Sequence, residues 1–186
     1  IFGLVTYATK GVSFGAIDPA IPNIFIPKAG RFPMIILWAI IAVVVVWFIW
    51  NKTTFGKNLY AVGGNPEAAT VSGISVFKVT MGAFIMAGIL YGFGSWLECL
   101  RMVGSGSAAY GQGWDMDAIA ACVVGGVSFT GGIGKISGVV TGVLIFTSLT
   151  YSLTILGIDT NLQFIFEGII ILAAVTLDCL KYVQKK

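Results

Sequence analysis

The chain has 186 residues, 57% of them hydrophobic and 10% charged, with a net charge of +3 and a mean hydropathy of +0.94. Soluble domains carry about 25% charged residues, so the composition excludes an ordinary soluble globule and points to an integral membrane protein. The small positive charge gives no reason to propose nucleic acid. There is no His, which removes the commonest general base and metal ligand. The three scattered cysteines, Cys99, Cys122 and Cys179, carry neither a metal spacing nor a disulfide framework. No cofactor is called for. Ile1 is not a start residue and no leader-like segment precedes it, so the chain reads as a fragment of a longer protein.

The expected fold is all-α, a polytopic helical bundle. Residues 1–31 hold Pro19, Pro22 and Pro27 with Gly3, Gly11, Gly15 and Gly30. That composition argues against a long helix and for an extracytoplasmic loop lying at the interface. From residue 32 onward the chain reads as a transmembrane domain of about five spans, each long enough to cross a bilayer or nearly so. The first is 33–50, where Trp47 and Trp50 suit an aromatic belt. The second is 79–97, whose Gly88 and Gly92 form a GxxxG pair. A polar, glycine-rich connection from Glu98 to Asp117 follows. The third apolar stretch, 118–134, is interrupted by Gly125, Gly126, Gly131 and Gly132. A uniform helix cannot run through that much glycine, so a span broken near its end and covered by protein is expected. The fourth is 136–158, preceded and entered by Gly134, Gly138 and Gly142 at four-residue spacing, a smooth packing face. The fifth, 162–177, carries Glu167, and a basic tail ends the chain.

Between the first two spans lies the polar stretch AVGGNPEAATVSGI, Ala61 to Ile74. It carries start and stop signals for a short helix. Asn65 can cap the N-terminus with its side-chain oxygen. Pro66 suits the first helical position. Glu67 meets the favourable end of the helix dipole, Ala68 and Ala69 favour helix, and Gly73 can end it in the left-handed conformation. Such a helix is too short to be stable alone in water, so its flanking spans or a partner must hold it. Capping chemistry by itself fits a surface turn equally well. The lysines give the orientation: with the C-terminal tail inside, Lys52, Lys57, Lys78, Lys135, Lys181, Lys185 and Lys186 are cytoplasmic, while Lys10, Lys28, Arg31 and Arg101 are outside. The capped helix then faces the cytoplasm, where it can dock a soluble partner.

Two other features invite a functional reading. GGIGKIS, Gly131 to Ser137, resembles a phosphate-binding loop, but Phe129 stands at the first glycine position and Ile136 follows Lys135, so the motif fails twice. Glu167 is an acid inside a span, a functional candidate by default; alternatively it lies near the outer end of its helix, close to Gln163, and reaches water. Thr141, Thr147, Thr150, Tyr151 and Ser152 either line a polar path or hydrogen-bond neighbouring helices.

Two stretches carry a family resemblance. NKTTFGKNLYAVGGNPEAATVSGISV resembles the cytoplasmic loop of sugar permeases in bacterial ATP-binding-cassette importers, the ribose, xylose and galactose group. MDAIAACVVGGVSFTGGIGKISGVVTGVLIF is similar to the later signature of the same permeases, and the ending LDCLKYVQKK is most similar to their galactose/methyl-galactoside branch. The resemblance covers residues 32–186; residues 1–31 match more loosely. It implies the C-terminal half of a type II-like importer permease in the bacterial inner membrane, with no catalytic residues of its own. It implies three partners besides lipid: an ATPase subunit, an extracytoplasmic sugar-binding protein and a second permease subunit, making a homodimer. The ATPase-coupling role then falls on Gly64, Asn65, Pro66, Glu67, Ala68, Ala69, Ser72 and Gly73. The implied cargo is a monosaccharide, galactose or a methyl-galactoside. The rivals are a ribose or other pentose permease, a branched-chain amino acid permease, an ion-coupled secondary transporter using Glu167, and a truncated inactive fragment. Binding of a cognate ATPase subunit separates the importers from the others.

Overall fold

The structure, a computed structural model, describes residues 2–10, 12, 18, 20–29, 32–102, 106 and 110–183. Pro19, Gly11, Gly15, Gly30, Arg31, Lys185 and Lys186, and part of the glycine-rich connection from Glu98 to Asp117, lie outside the described residues. The elements in chain order are α1 (Phe2–Thr9), α2 (Ala20–Phe25), β1 (Lys28–Ala29), β2 (Phe32–Pro33), α3 (Ile35–Lys52), α4 (Thr54–Gly64), α5 (Pro66–Val71), α6 (Val76–Arg101), α7 (Trp114–Val124), α8 (Ile136–Ile155) and α9 (Thr160–Val183). Apart from the two-residue antiparallel ribbon, which pairs Lys28 with Pro33 and Ala29 with Phe32, the described chain is all helical. Among the described residues, three helices are long and apolar enough to cross a membrane: α3, α6 and α8. The apolar part of α9, Leu162–Ala173, is shorter.

Helices α3 and α6 each pass from one compact unit to the other. The first unit comprises residues 1–45 and 80–112. Here the segment expected to be loop contains α1 and the six-residue α2. Pro22 sits in the first turn of α2, where its missing N–H costs nothing, and Pro27 lies just beyond its end. An aromatic cluster holds this unit: Trp96 meets Phe25 edge-on at 5.2 Å and Trp38 at 6.3 Å, and the Trp38 indole N–H donates to the Phe25 carbonyl at 3.0 Å. Such pairs contribute beyond their buried area, and the half-buried indole finds its acceptor. At the end of α6, Arg101 pairs with Glu98, and the Tyr110 hydroxyl donates to the same carboxylate at 2.5 Å. That bond favours the protonated phenol and holds Tyr110 above its ordinary range.

The second unit comprises residues 46–79 and 113–186. Its core lies among α7, α8 and α9, where Ala120, Ala121 and Phe146 are buried and Ile170 and Ile171 pack against them. α7 begins before the apolar run does, at Trp114, because Asp115 and Asp117 are favoured in a first turn by the helix dipole. It stops at Val124, so the stretch 118–134 is helical only in its first part. Gly126, at φ 81°, takes the left-handed conformation that lets its N–H reach Val123 O and that of Val127 reach Cys122 O, a Schellman closure.

The α7–α8 contact is made by backbone. A Cβ on Gly142 would lie 2.6 Å from the Gly125 nitrogen, one on Gly125 would lie 2.8 Å from the Gly138 carbonyl carbon, and one on Gly138 would strike the Gly125 carbonyl oxygen. Gly134 precedes the helix and meets only the Val127 side chain, at 3.3 Å. Gly88 and Gly92 have no heavy atom within 4 Å of an added Cβ. The two glycine stripes therefore differ: one is an intramolecular contact, the other an open face within the described chain.

In the full-length protein, Gly138→Leu should lower stability in detergent by at least the 1–3 kcal/mol typical of overpacking, about that or more because backbone cannot rotate aside. Gly88→Ala should leave it unchanged. Thermal unfolding followed by size-exclusion chromatography reads both, and equal stability of Gly138→Leu and parent would contradict the contact.

Candidate functional site

The polar stretch between α3 and α6 is two helices set end to end. α3 stops at Lys52, and Thr53 starts α4: its hydroxyl accepts from the Gly56 N–H at 3.3 Å and donates back to Ile49 O at 2.6 Å. Gly56 is buried where a Cβ would lie 2.7 Å from Trp50 Cα, which fixes the tight turn between the two helices. The sequence reading misses α4 although Phe55, Leu59 and Val62 recur at helical spacing, because Gly56, Gly63, Gly64 and the polar residues among them read as loop.

Asn65 joins α4 to α5. Its N–H closes α4 on Ala61 O at 3.0 Å, and its side-chain oxygen opens α5 by accepting from the Ala68 N–H at 3.0 Å. Pro66 occupies the first helical position and disfavours helical backbone at Asn65, which is extended at φ −155°, ψ 101°. Glu67 is exposed in the first turn. At the far end Ser72 caps the helix, and Gly73, at φ 81°, allows its own N–H to reach Thr70 O and that of Ile74 to reach Ala69 O, both at 3.0 Å. This is a full Schellman motif. The capping signals read from Asn65 to Gly73 are thus all in place. Gly64 lies one residue earlier than α5, as the last residue of α4. Within α5 only Ala69 is buried; Pro66, Glu67, Ala68, Thr70 and Val71 are exposed, Val71 to 90%.

α4 seats this pair of helices on the turn between α7 and α8. A Cβ on Gly63 would lie 2.7 Å from the Gly132 nitrogen, and one on Gly132 would lie 2.6 Å from Gly64 Cα. The Tyr60 hydroxyl donates to Gly134 O at 2.7 Å. The turn is braced from within: the Ser128 N–H donates to Ile133 O at 3.0 Å, and the buried Ser128 hydroxyl lies 2.8 Å from that of Thr130. Beside this seat a concave site of about 580 Å³ is lined by Tyr60, Gly126, Ile133, Lys135, Ser137 and Thr141, among others. Lys135 is the N-cap residue of α8 and makes no side-chain cap bond. Paired glycines at 63–64 and 131–132 were the available signal for this contact.

The candidate pathway residues do not converge. Thr141 is exposed, and its hydroxyl donates to Ser137 O or Gly138 O within its own helix. Thr147 is exposed. The hydroxyls of Thr150 and Ser152 likewise lie against carbonyls of the preceding turn. Of the two readings of Glu167, the one that puts it in water fails: it is buried, 6% exposed. Gln163, Glu167 and Ile170 recur at helical spacing and so share the face of α9 that packs on α7 and α8. Glu167 faces the Asp117 carboxyl, a partner the sequence reading did not find. Glu167 Oε2 and Asp117 Oδ1 are buried with no hydrogen-bond partner among the described residues.

A family model described as branched-chain amino acid transport system / permease component matches residues 1–175. The chain belongs to this family. It is part of a multi-pass membrane permease. Among similar proteins, the galactose/methyl galactoside import permease protein MglC of Treponema pallidum is 55% identical over 100% of this chain and 36% of its own length. The protein of the same name in Escherichia coli K12 is 52% identical over 84% of this chain and 46% of its own length. The xylose transport system permease protein XylH of Haemophilus influenzae is 43% identical over 79% of this chain and 38% of its own length. The chain thus spans less than half the length of each. No solved structure matches it.

The local geometry makes a test of α5 itself. Asn65→Ala removes the cap shared by two helices and should cost about 1 kcal/mol, and Gly73→Val forces a branched residue into left-handed backbone at about 1–2 kcal/mol. Hydrogen exchange in the full-length protein should quicken at the amides of residues 68–74 in both variants and stay unchanged in α9. Parent-like protection at 68–74 would show that the caps do not hold α5.

Proposed function

We propose that the chain is the C-terminal part of the membrane permease subunit of a bacterial ATP-binding-cassette importer. The cargo is a monosaccharide, galactose or a methyl galactoside, and the site is the cytoplasmic membrane. Relatives named for galactose/methyl galactoside import, at 52–55% identity, support that cargo over a pentose or a branched-chain amino acid. On this reading residues 1–31 are extracytoplasmic or interfacial, and the apolar segments 33–50, 79–97, 118–134, 136–158 and 162–177 lie in the membrane. A second permease copy completes the path, a binding protein outside delivers the sugar, and a partner ATPase drives the cycle.

The observation that carries the reading is α5. It is capped at both ends, buries only Ala69 and presents Glu67, Ala68, Thr70 and Val71 outward. A six-residue helix that keeps its shape while exposing most of its side chains is suited to docking in a partner's cleft. ATP binding draws the ATPase subunits together, carries α5 with them and tilts the attached helices. The permease supplies no hydrolytic group.

Glu67→Lys in the full-length permease should abolish capture of the ATPase subunit and reduce uptake at least tenfold, roughly the loss given by reversing one desolvated charge contact, while insertion is normal. Glu167→Gln should keep most of the ATP-driven uptake. Vesicles holding the whole complex should take up sugar with ATP inside whether or not an uncoupler is present. Normal capture and uptake in Glu67→Lys would remove the docking role. Uptake that survives without ATP but fails with the uncoupler would instead favour an ion-coupled carrier built on the buried Asp117 and Glu167.

A further inference from the structure

We infer that Tyr60 is a positioning residue for transport, its hydrogen bond to Gly134 carrying the movement of α5 into the α7–α8 turn. The inference rests on the docking role of α5. Asn65 belongs to the last turn of α4 and the cap of α5 at once, so a force on α5 reaches α4 without an intervening loop. On α4, Tyr60 and Gly63 are three residues apart and share one face. That face lies on residues 131–134: the glycines meet backbone to backbone and the Tyr60 hydroxyl reaches Gly134 O at 2.7 Å.

The two contacts act differently. Glycine against glycine resists compression, because no side chain lies between to give way. On retreat, dispersion alone holds such a contact, and it weakens steeply with a small gap. A directional hydrogen bond holds the partner in place on retreat as well. A transport cycle moves the docked helix in both directions, so both kinds of contact are needed. Gly134 also stands immediately before Lys135, the cap residue of α8, while the other end of the braced turn is the Gly125–Gly126 closure of α7. A displacement at Tyr60 therefore enters α7 and α8 together.

The test is Tyr60→Phe in the full-length permease, assembled with its ATPase subunit and sugar-binding protein in proteoliposomes. The ring stays and only the hydroxyl is lost. Capture of the ATPase subunit should match the parent, and heat stability in detergent should fall by no more than the loss of one hydrogen bond gives. Sugar moved per ATP hydrolysed should fall about fivefold, the factor expected from losing one ordinary hydrogen bond. A parent-like ratio would overturn the inference. So would loss of assembly or of capture, either of which makes the bond merely structural. Glu67→Lys, run beside it, separates the two readings. If Glu67→Lys still captures the ATPase while Tyr60→Phe lowers the ratio, docking by α5 fails and the relay through α4 stands. If Glu67→Lys loses capture while Tyr60→Phe keeps the parent ratio, the relay alone fails.

Discussion

Close backbone approach at glycine organises the second unit. Among lipid tails, helices gain little from the hydrophobic effect on meeting one another, and association depends on packing and hydrogen bonds. Ala121, Gly125, Gly138 and Gly142 bring α7 and α8 to backbone contact, and Gly63, Gly131 and Gly132 do the same for α4 and the turn. α7, at 11 residues, is about 16 Å long, well short of a hydrocarbon core of about 30 Å. On the proposed membrane placement of 118–134, its end leaves helical backbone at a depth where stray carbonyls are costly. The turn meets that constraint internally, through the Schellman closure at Gly126 and the Ser128–Ile133 bond, and externally, through Tyr60. Non-helical backbone is tolerated in a membrane protein on those terms.

The buried polar groups follow the same logic with one exception. Gln163 is buried and donates to Thr154 Oγ1 at 3.3 Å and Ile158 O at 3.0 Å, which fastens the α8–α9 corner. The hydroxyls of Thr141, Ser148, Thr150 and Ser152 donate to carbonyls of their own helix. Asp117 and Glu167 are the exception, with one buried oxygen on each lacking a partner among the described residues. Two carboxyls facing one another repel when both are charged, and α9 nonetheless carries Glu167 on its packed face.

Local chemistry was legible in the sequence and long-range contact was not. The bounds of α5 follow from Asn65, Pro66 and Gly73, each acting on backbone within a few residues. α4 was hidden because Gly56, Gly63, Gly64 and its polar residues read as loop, although Phe55, Leu59 and Val62 form an apolar stripe; the cap at Thr53 and the turn at Gly56 set where it starts. Gly131 and Gly132 were read as interruptions, which is the local half of their role; that they receive Gly63 and Gly64 depends on residues some seventy positions away, as does the Tyr60–Gly134 bond. The position of Glu167 along the span left open whether it reaches water. Its burial is decided by which face of α9 packs on α7, and a single acid in an apolar run does not encode that.

The shortness of α5 makes its anchorage part of its role. A helix of six residues gains too little from its own hydrogen bonds to offset the ordering of its chain. Its shape is therefore lent by what it joins: α4 through Asn65 on one side and α6 through Ser75 on the other, whose hydroxyl lies 3.5 Å from the Lys78 N–H. A longer, self-stable helix on a flexible tether could move on a partner without disturbing the chain behind it. This one has no tether. Asn65 closes one helix while opening the next, and Gly73 ends α5 only three residues before α6 begins. Any motion of α5 large enough to follow a partner must be absorbed by α4 and α6, and α4 is seated on a turn that has no side-chain layer to yield.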